Sequence, residues 1–172
     1  RSSNIGSLMI GRKIGEKKLN AFLENLGLLK TLDFELEEIG KPLNFNWEKC
    51  KLETVSFGHG ITTTPLQAAA AYASIANGGY IINPTLKLSK NLDIINQKSI
   101  ISKSTSDQMN KILRKVVTDK EGTGSFADIF GYDVGGKTGT AKSYTDKSVN
   151  INTFISIFPS QNPKYVLLII LD

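Results

Sequence analysis

Cysteine, histidine and tryptophan are almost missing from these 172 residues, each occurring once, as Cys50, His59 and Trp47. One cysteine excludes an internal disulfide framework and a cysteine-ligated metal centre, and one histidine excludes a histidine-rich one. No metal site and no cofactor are therefore expected. Cys50 is read as a buried thiol, and His59, set between Gly58 and Gly60, as a turn residue without a catalytic role. A membrane helix needs about 20 apolar residues, and no unbroken run approaches that; the run 166–171 is read as a buried strand. A block of like charge is missing too. The net charge of +5 comes from lysines scattered singly, so a nucleic-acid partner is not expected. Neither an internal repeat nor a low-complexity tract occurs.

With 40% hydrophobic and 22% charged residues, the chain has the means to bury one core, and residues 1–172 are read as one domain. Residues 5–14 and 17–29 carry apolar side chains at helical spacing (Ile5, Leu8 and Met9; Leu19, Phe22, Leu23 and Leu26), with Gly15 and Gly27 as stops. Residues 31–53 hold no steady period and read as an irregular connection, with Glu35, Glu37 and Glu38 solvated. Thr64-Pro65-Leu66-Gln67 then gives a capping threonine, a proline at the first helical position and a glutamine able to reach back to the cap; the alanine-rich helix it opens runs to Gly78-Gly79. A further amphipathic helix is expected over 105–117, with Met109, Ile112, Leu113, Val116 and Val117 on one stripe. Gly122 and Gly124 are read as freeing the chain beyond it.

From Tyr132 onward the pattern changes to sheet. Residues 132–140 are extended and rich in glycine, 151–158 are β-branched and aromatic, 159–163 form a turn, and 165–171 are apolar. Strands joined by a short turn pair antiparallel. Helices first and an antiparallel meander last define an α+β domain.

The chemistry-bearing motif opens that sheet: Gly135-Gly136-Lys137-Thr138-Gly139-Thr140-Ala141. Missing side chains beside a lysine allow an extended ligand to lie against the strand, with the ammonium and two hydroxyls pointing at an anionic group. The bare triplet is equally compatible with a bulge and a surface lysine. Gly131 to Thr138 also satisfy the phosphate-loop pattern, and Asp172 after an apolar strand imitates its magnesium-holding acid. A phosphate loop, however, requires a helix to start at Lys137-Thr138 so that amide N–H groups meet the phosphates, and residues 139–144 have poor helical character.

Ser2-Ser3-Asn4 by itself reads as a helix N-cap. Taken together with Lys137-Thr138-Gly139, it gives two of the three motifs, Ser-x-Asn and Lys-Thr-Gly, of penicillin-binding proteins and class A β-lactamases. Between them lie the segment 56–67, the alanine helix and Asn77-Gly78-Gly79. Over its whole length the chain resembles the C-terminal half of a class B penicillin-binding protein transpeptidase domain; residues 2–6 and 122–141 are most similar to septal, division-specific members. No counterpart of the glutamate-bearing loop of β-lactamases is present.

The resemblance implies an antiparallel sheet flanked by helices, incomplete at both ends, that begins at the Ser-x-Asn motif and stops within the sheet. It implies D,D-transpeptidation: a serine attacks a D-alanyl-D-alanine bond of a stem peptide, expels D-alanine, and passes the acyl group to an amine. By similarity Ser2 relays a proton to the leaving amine. Asn4 holds the acyl-side amide and orders the catalytic lysine, and Lys137 fixes Ser2 and favours the substrate carboxylate. Thr138, Gly139 and Thr140 line the carboxylate's place, with the Thr140 N–H as half of an oxyanion hole. The implied partners are stem peptide, β-lactams and, in the intact enzyme, cell-division membrane proteins. The implied location is the periplasmic face of the bacterial inner membrane, through an anchoring segment outside this chain. One element departs from the family: no serine here has a lysine three residues later. The acylating Ser-x-x-Lys pair is expected upstream of Arg1, and this chain alone is expected to be inactive. A phosphate-loop hydrolase and a non-catalytic peptide-binding module are the alternatives.

Overall fold

The computed structural model describes residues 2–43, 45–48, 50–88, 98–143 and 146–172. They form two compact units, Ser2–Ala71 with Ile81–Ile100, and Tyr72–Tyr80 with Ile101–Asp172.

In the first unit, α1 spans Asn4–Ile14 and α2 Glu16–Asn25. The first helix starts where the Ser3 hydroxyl accepts the Gly6 N–H at 3.1 Å, satisfying one of the donors a helix start leaves open. It stops at Gly15, whose φ of 81° is a conformation glycine adopts without a Cβ clash. The expected stripe is not what α1 buries: Ile5 is 74% and Met9 58% exposed. Gly11 is buried instead, packed so closely on Ser56 that a Cβ there would strike the serine hydroxyl. Arg12 adds an ion pair to Glu53 at 3.1 Å on α3, Lys51–Val55, a short helix inside the stretch expected to be irregular. Cys50 precedes it at a φ of 67° and is exposed, contrary to the buried thiol expected; a residue held in a left-handed turn at a helix start has its side chain outside the packing. Glu35 is exposed yet not merely solvated. It accepts hydrogen bonds from the Thr85 hydroxyl and from the Leu86 N–H at 3.3 Å, which hold its carboxyl below the usual range.

Helix α4, Pro65–Ala76, begins as the sequence dictates, and its glutamine does more than cap. Gln67 Oε1 accepts the Thr64 N–H at 3.0 Å while the Thr64 hydroxyl accepts the Gln67 N–H at 3.2 Å. Its amide then donates to the carbonyls of Gly27 and Lys30, at 2.9 and 2.7 Å, with the side chain 1% exposed. One residue thus closes the start of α4 and the chain leaving α2. Replacing it by leucine keeps the volume but orphans those groups, a cost of about 1–3 kcal/mol. Urea denaturation of Gln67→Leu should show that loss, and an unchanged midpoint would contradict it.

The second unit holds the end of α4, then α5 at Lys103–Thr118, a 3-10 turn at Ser125–Ala127, and strands β1 Gly135–Lys142, β2 Asn150–Phe158 and β3 Tyr165–Leu171. The strands form one antiparallel sheet in the order β1-β2-β3, so the expected meander is observed. Ala76, Leu113 and Ile157 form its core, with Tyr72 and Val166 against them. The buried face of α5 is Ser106, Asn110, Leu113 and Val117, rotated from the expected stripe so that Ile112 is 53% exposed. The polar pair is buried because it completes the end of α4. Ser106 Oγ donates to the Ile75 carbonyl at 2.5 Å and accepts the Gly78 N–H at 3.0 Å, and Asn110 Nδ2 donates to the Ala76 carbonyl at 2.9 Å. Helix ends leave such carbonyls without intrahelical partners, and a purely apolar stripe would have buried them unpaired. Strand β3 is a strand but not a buried one: Leu167, Ile169 and Leu171, which share one face of it, are 47%, 44% and 64% exposed.

Candidate functional site

The Lys-Thr-Gly segment lies in the first half of β1, paired with β2 in the register Lys137↔Ile155, Thr138↔Phe154, Gly139↔Thr153 and Thr140↔Asn152. Because β1 runs unbroken to Lys142, no helix begins at Lys137, and the phosphate-loop reading fails on the feature it most requires. β1 is the other edge of the sheet, so one of its sides carries no strand within this unit.

Two of the glycines have a packing role that their sequence pattern does not show. A Cβ on Gly136 would stand 2.7 Å from the Ile155 carbonyl oxygen and 2.7 Å from the Phe154 ring, and one on Gly135 would stand 3.0 Å from the Arg114 backbone nitrogen. They bring the strand onto α5 and its own neighbour. A Cβ on Gly139 would meet only the Thr153 hydroxyl.

The entry into β1 is fixed by charge. Arg114 of α5 donates from Nη1 to the Val134 carbonyl at 2.8 Å. It also pairs with Asp128 and Asp133, each at 2.9 Å. Asp133, at a φ of 50°, further accepts the Ser160 hydroxyl at 2.9 Å, and its carbonyl accepts the Ser160 N–H at 2.8 Å. Sequence reasoning missed this clamp, because nothing in the spacing of Arg114, Asp128, Asp133 and Ser160 marks them as neighbours. Beside it is a hollow of about 680 Å³ lined by Asn110, Lys111, Arg114, Lys115 and Ser160 among others; none of the residues 137–140 line it.

Lys137 is half-buried, and its ammonium donates to the Thr138 carbonyl at 2.7 Å. Among the described residues it has no carboxylate partner. Strand alternation puts Lys137 and Gly139 on one face of β1 and Thr138 and Thr140 on the other. The Lys137 ammonium nevertheless reaches the carbonyl of the next residue along the strand. Thr138 Oγ1 donates to Thr123 Oγ1 at 2.9 Å, and Thr140 Oγ1 to Asn152 Oδ1 at 3.3 Å. Ser2 and Asn4 belong to the first unit and residues 137–140 to the second. The cap of α1 is Ser3; the side chains of Ser2 and Asn4 are exposed and make no hydrogen bond among the described residues.

Desolvation pushes the Lys137 ammonium below the usual lysine range. In the alkaline window between that lowered value and the ordinary one, the unfolded chain binds more protons than the folded one, so stability rises with pH across it. Below the window both states carry the proton and the desolvation cost is fully present. Lys137→Met should therefore be more stable than wild type at neutral pH and lack the alkaline rise. Urea melts from about pH 8 to about pH 11 that move in parallel for both proteins would refute this.

An antiparallel sheet whose edge strand carries a half-buried lysine between Gly136 and Thr138, with no carboxylate partner among the described residues, lacks the helix that a nucleotide-binding phosphate loop requires. The penicillin binding protein transpeptidase domain family matches residues 1–172, and the chain belongs to that family. It is 35% identical over 184 residues to the probable peptidoglycan D,D-transpeptidase FtsI of Caulobacter vibrioides, covering 99% of this chain and 31% of that protein. It is 32% identical over 188 residues to stage V sporulation protein D of Bacillus subtilis, covering 99% and 29%. The chain thus spans about a third of the length of these curated relatives. Among solved structures, penicillin binding protein 3 of Mycobacterium tuberculosis, complexed with aztreonam, superposes with a TM-score of 0.88 at 27% identity, covering 100% of this chain and 43% of that one. A peptidoglycan glycosyltransferase from Burkholderia ambifaria gives a TM-score of 0.89 at 26% identity, covering 99% and 53%.

Proposed function

We propose that this chain supplies one wall of the active site of a peptidoglycan D,D-transpeptidase, the wall that receives the carboxylate end of a stem peptide or of a β-lactam. The observation that carries the proposal is Lys137: a half-buried ammonium on an edge strand, without an acid partner among the described residues. Desolvation strengthens its attraction for an incoming anion. Thr138, Gly139 and Thr140 continue the strand as the carboxylate's place. Ser2 and Asn4, exposed and unengaged at the start of α1, take the proton-relay and amide-holding roles.

The nucleophile is a serine in a Ser-x-x-Lys motif outside these residues. The reaction is serine acyl transfer: the serine oxygen bonds to the penultimate D-alanine carbonyl carbon, D-alanine leaves with a proton, and an acceptor amine later displaces the serine. From the resemblance of residues 2–6 and 122–141 to septal members of the family, the proposal extends to a septal role with cell-division partners. It extends likewise to catalysis on the periplasmic face of the inner membrane, held by an anchor elsewhere in the polypeptide. Among the described residues no helix is long and apolar enough to cross a membrane.

Incubation with a fluorescent penicillin, followed by denaturing electrophoresis, tests the reading. The full polypeptide carrying these residues should be labelled covalently and the 172-residue chain should not. Absence of label on the folded full polypeptide would remove the transpeptidase reading and leave a non-catalytic peptide-binding module. Label on the isolated chain would show that the nucleophile lies within it.

A further inference from the structure

The sequence reading treats Gly122-Thr123-Gly124 as loose chain, whereas the structure shows a loop held on three sides. The Gly122 N–H donates to the Asp119 carbonyl at 2.8 Å and the Gly124 N–H to the Val116 carbonyl at 3.2 Å, which ties the loop to the end of α5. A Cβ on Gly122 would collide with the Val116 and Asp119 carbonyls, and one on Gly124 would come within 3.3 Å of the Phe154 ring. Phe154 is the residue of β2 that faces Thr138 in the register. The same cross-strand position thus supports the loop and Thr138, and between them the two hydroxyls meet at 2.9 Å. Thr123 is exposed and Thr138 half-buried.

We propose that Thr123 is a further ligand-contacting residue, which forms with Thr138 a hydroxyl pair that takes the carboxylate of the substrate or β-lactam. The proposal rests on the reading of 137–140 as the carboxylate wall and extends that wall to a residue outside the strand. A hydroxyl carries one proton. In this pair the Thr138 proton is used on Thr123, which leaves the exposed Thr123 proton as the one presented outward. A donor that itself accepts a hydrogen bond is polarised and donates more strongly. An anion is the ligand that uses such a donor best, since hydrogen bonds to a charged acceptor are about twice as strong as neutral ones. The two glycines, which leave the loop a single tight path, keep that donor in place before the ligand arrives.

The test is acylation kinetics of the full polypeptide with a penicillin and with its carboxylate methyl ester, followed by mass spectrometry. Thr123→Val keeps the shape and removes the hydroxyl; Thr123→Ser restores it. Thr123→Val is expected to lower the second-order acylation constant for the penicillin about 10-fold. The loss should lie in the binding step, fall below about twofold for the ester, and be recovered by Thr123→Ser. Thr138→Val should lower the same constant, and the double variant should lose less than the product of the singles, as for two residues acting as one unit. If Thr138→Val weakens acylation and Thr123→Val does not, Thr123 is only a loop residue. If the ester suffers the same loss, Thr123 acts through folding and not on the carboxylate. If neither threonine nor Lys137 affects acylation, the carboxylate wall itself is wrongly placed. The first two outcomes overturn the proposal alone, and the third overturns the reading beneath it.

Discussion

Lys137→Ala in the full polypeptide should lower the rate of acylation by penicillin by ~10²–10³-fold, with little loss of stability. Removal of one oriented donor from an acyl-transfer site typically raises the barrier by about 2.7–4 kcal/mol, which is that range of rates. Lys137 is expected to act as such a donor, because its ammonium is half-buried and no carboxylate among the described residues neutralises it. Arginine is not expected to rescue the function: its planar fork is longer and cannot place a compact point charge where the lysyl ammonium sits, beside the Thr138 carbonyl. Pre-steady-state labelling of Lys137→Ala and Lys137→Arg measures both. Acylation of either variant within about threefold of wild type would dissociate this strand from the chemistry.

Gly136→Val should be strongly damaging to strand β1. Its Cβ would stand 2.7 Å from the Ile155 carbonyl oxygen, a backbone atom of the paired strand that cannot turn aside. Its branches would press on the Phe154 ring. Overpacking of this kind costs about 3 kcal/mol or more, and the displaced strand would carry Lys137 with it, so acylation should fall along with the melting temperature. Gly139→Ala is the control. The added methyl meets only the Thr153 hydroxyl, which can rotate, so its cost should stay below about 1 kcal/mol. Equal destabilisation by the two substitutions would show that strand propensity, not contact with the neighbouring strand, decides.

Much of the fold was legible because it depends on neighbours in the chain. Gly15 ends one helix and begins another through its own φ. Thr64, Pro65 and Gln67 mark the start of α4 through contacts three residues apart. The three strands follow from β-branched runs separated by turn residues. What failed did so where the decisive partner is distant. Ser106 and Asn110 lie off the apolar stripe expected of α5; they are buried because the last carbonyls of α4 need donors. Gly122 and Gly124 looked like slack, and the atoms that require them to be glycine are Val116, Asp119 and Phe154. Of the candidate site, Lys137, Thr138 and Thr140 were visible as a motif. Thr123 and the Arg114 clamp were not, since single threonines, arginines and aspartates carry no local signal until a fold brings them within 3 Å.

The linear order of residues determined the starts of α1 and α4, the antiparallel strands and the place of the Lys-Thr-Gly motif on a strand, because propensity, capping and alternation act over a few bonds. Tertiary structure alone decided which face of each helix is buried, why Gly136 must be glycine, and which hydroxyl stands beside Thr138. Those are properties of atoms that meet across the sheet and between helix and strand, and residue spacing along the chain does not encode them.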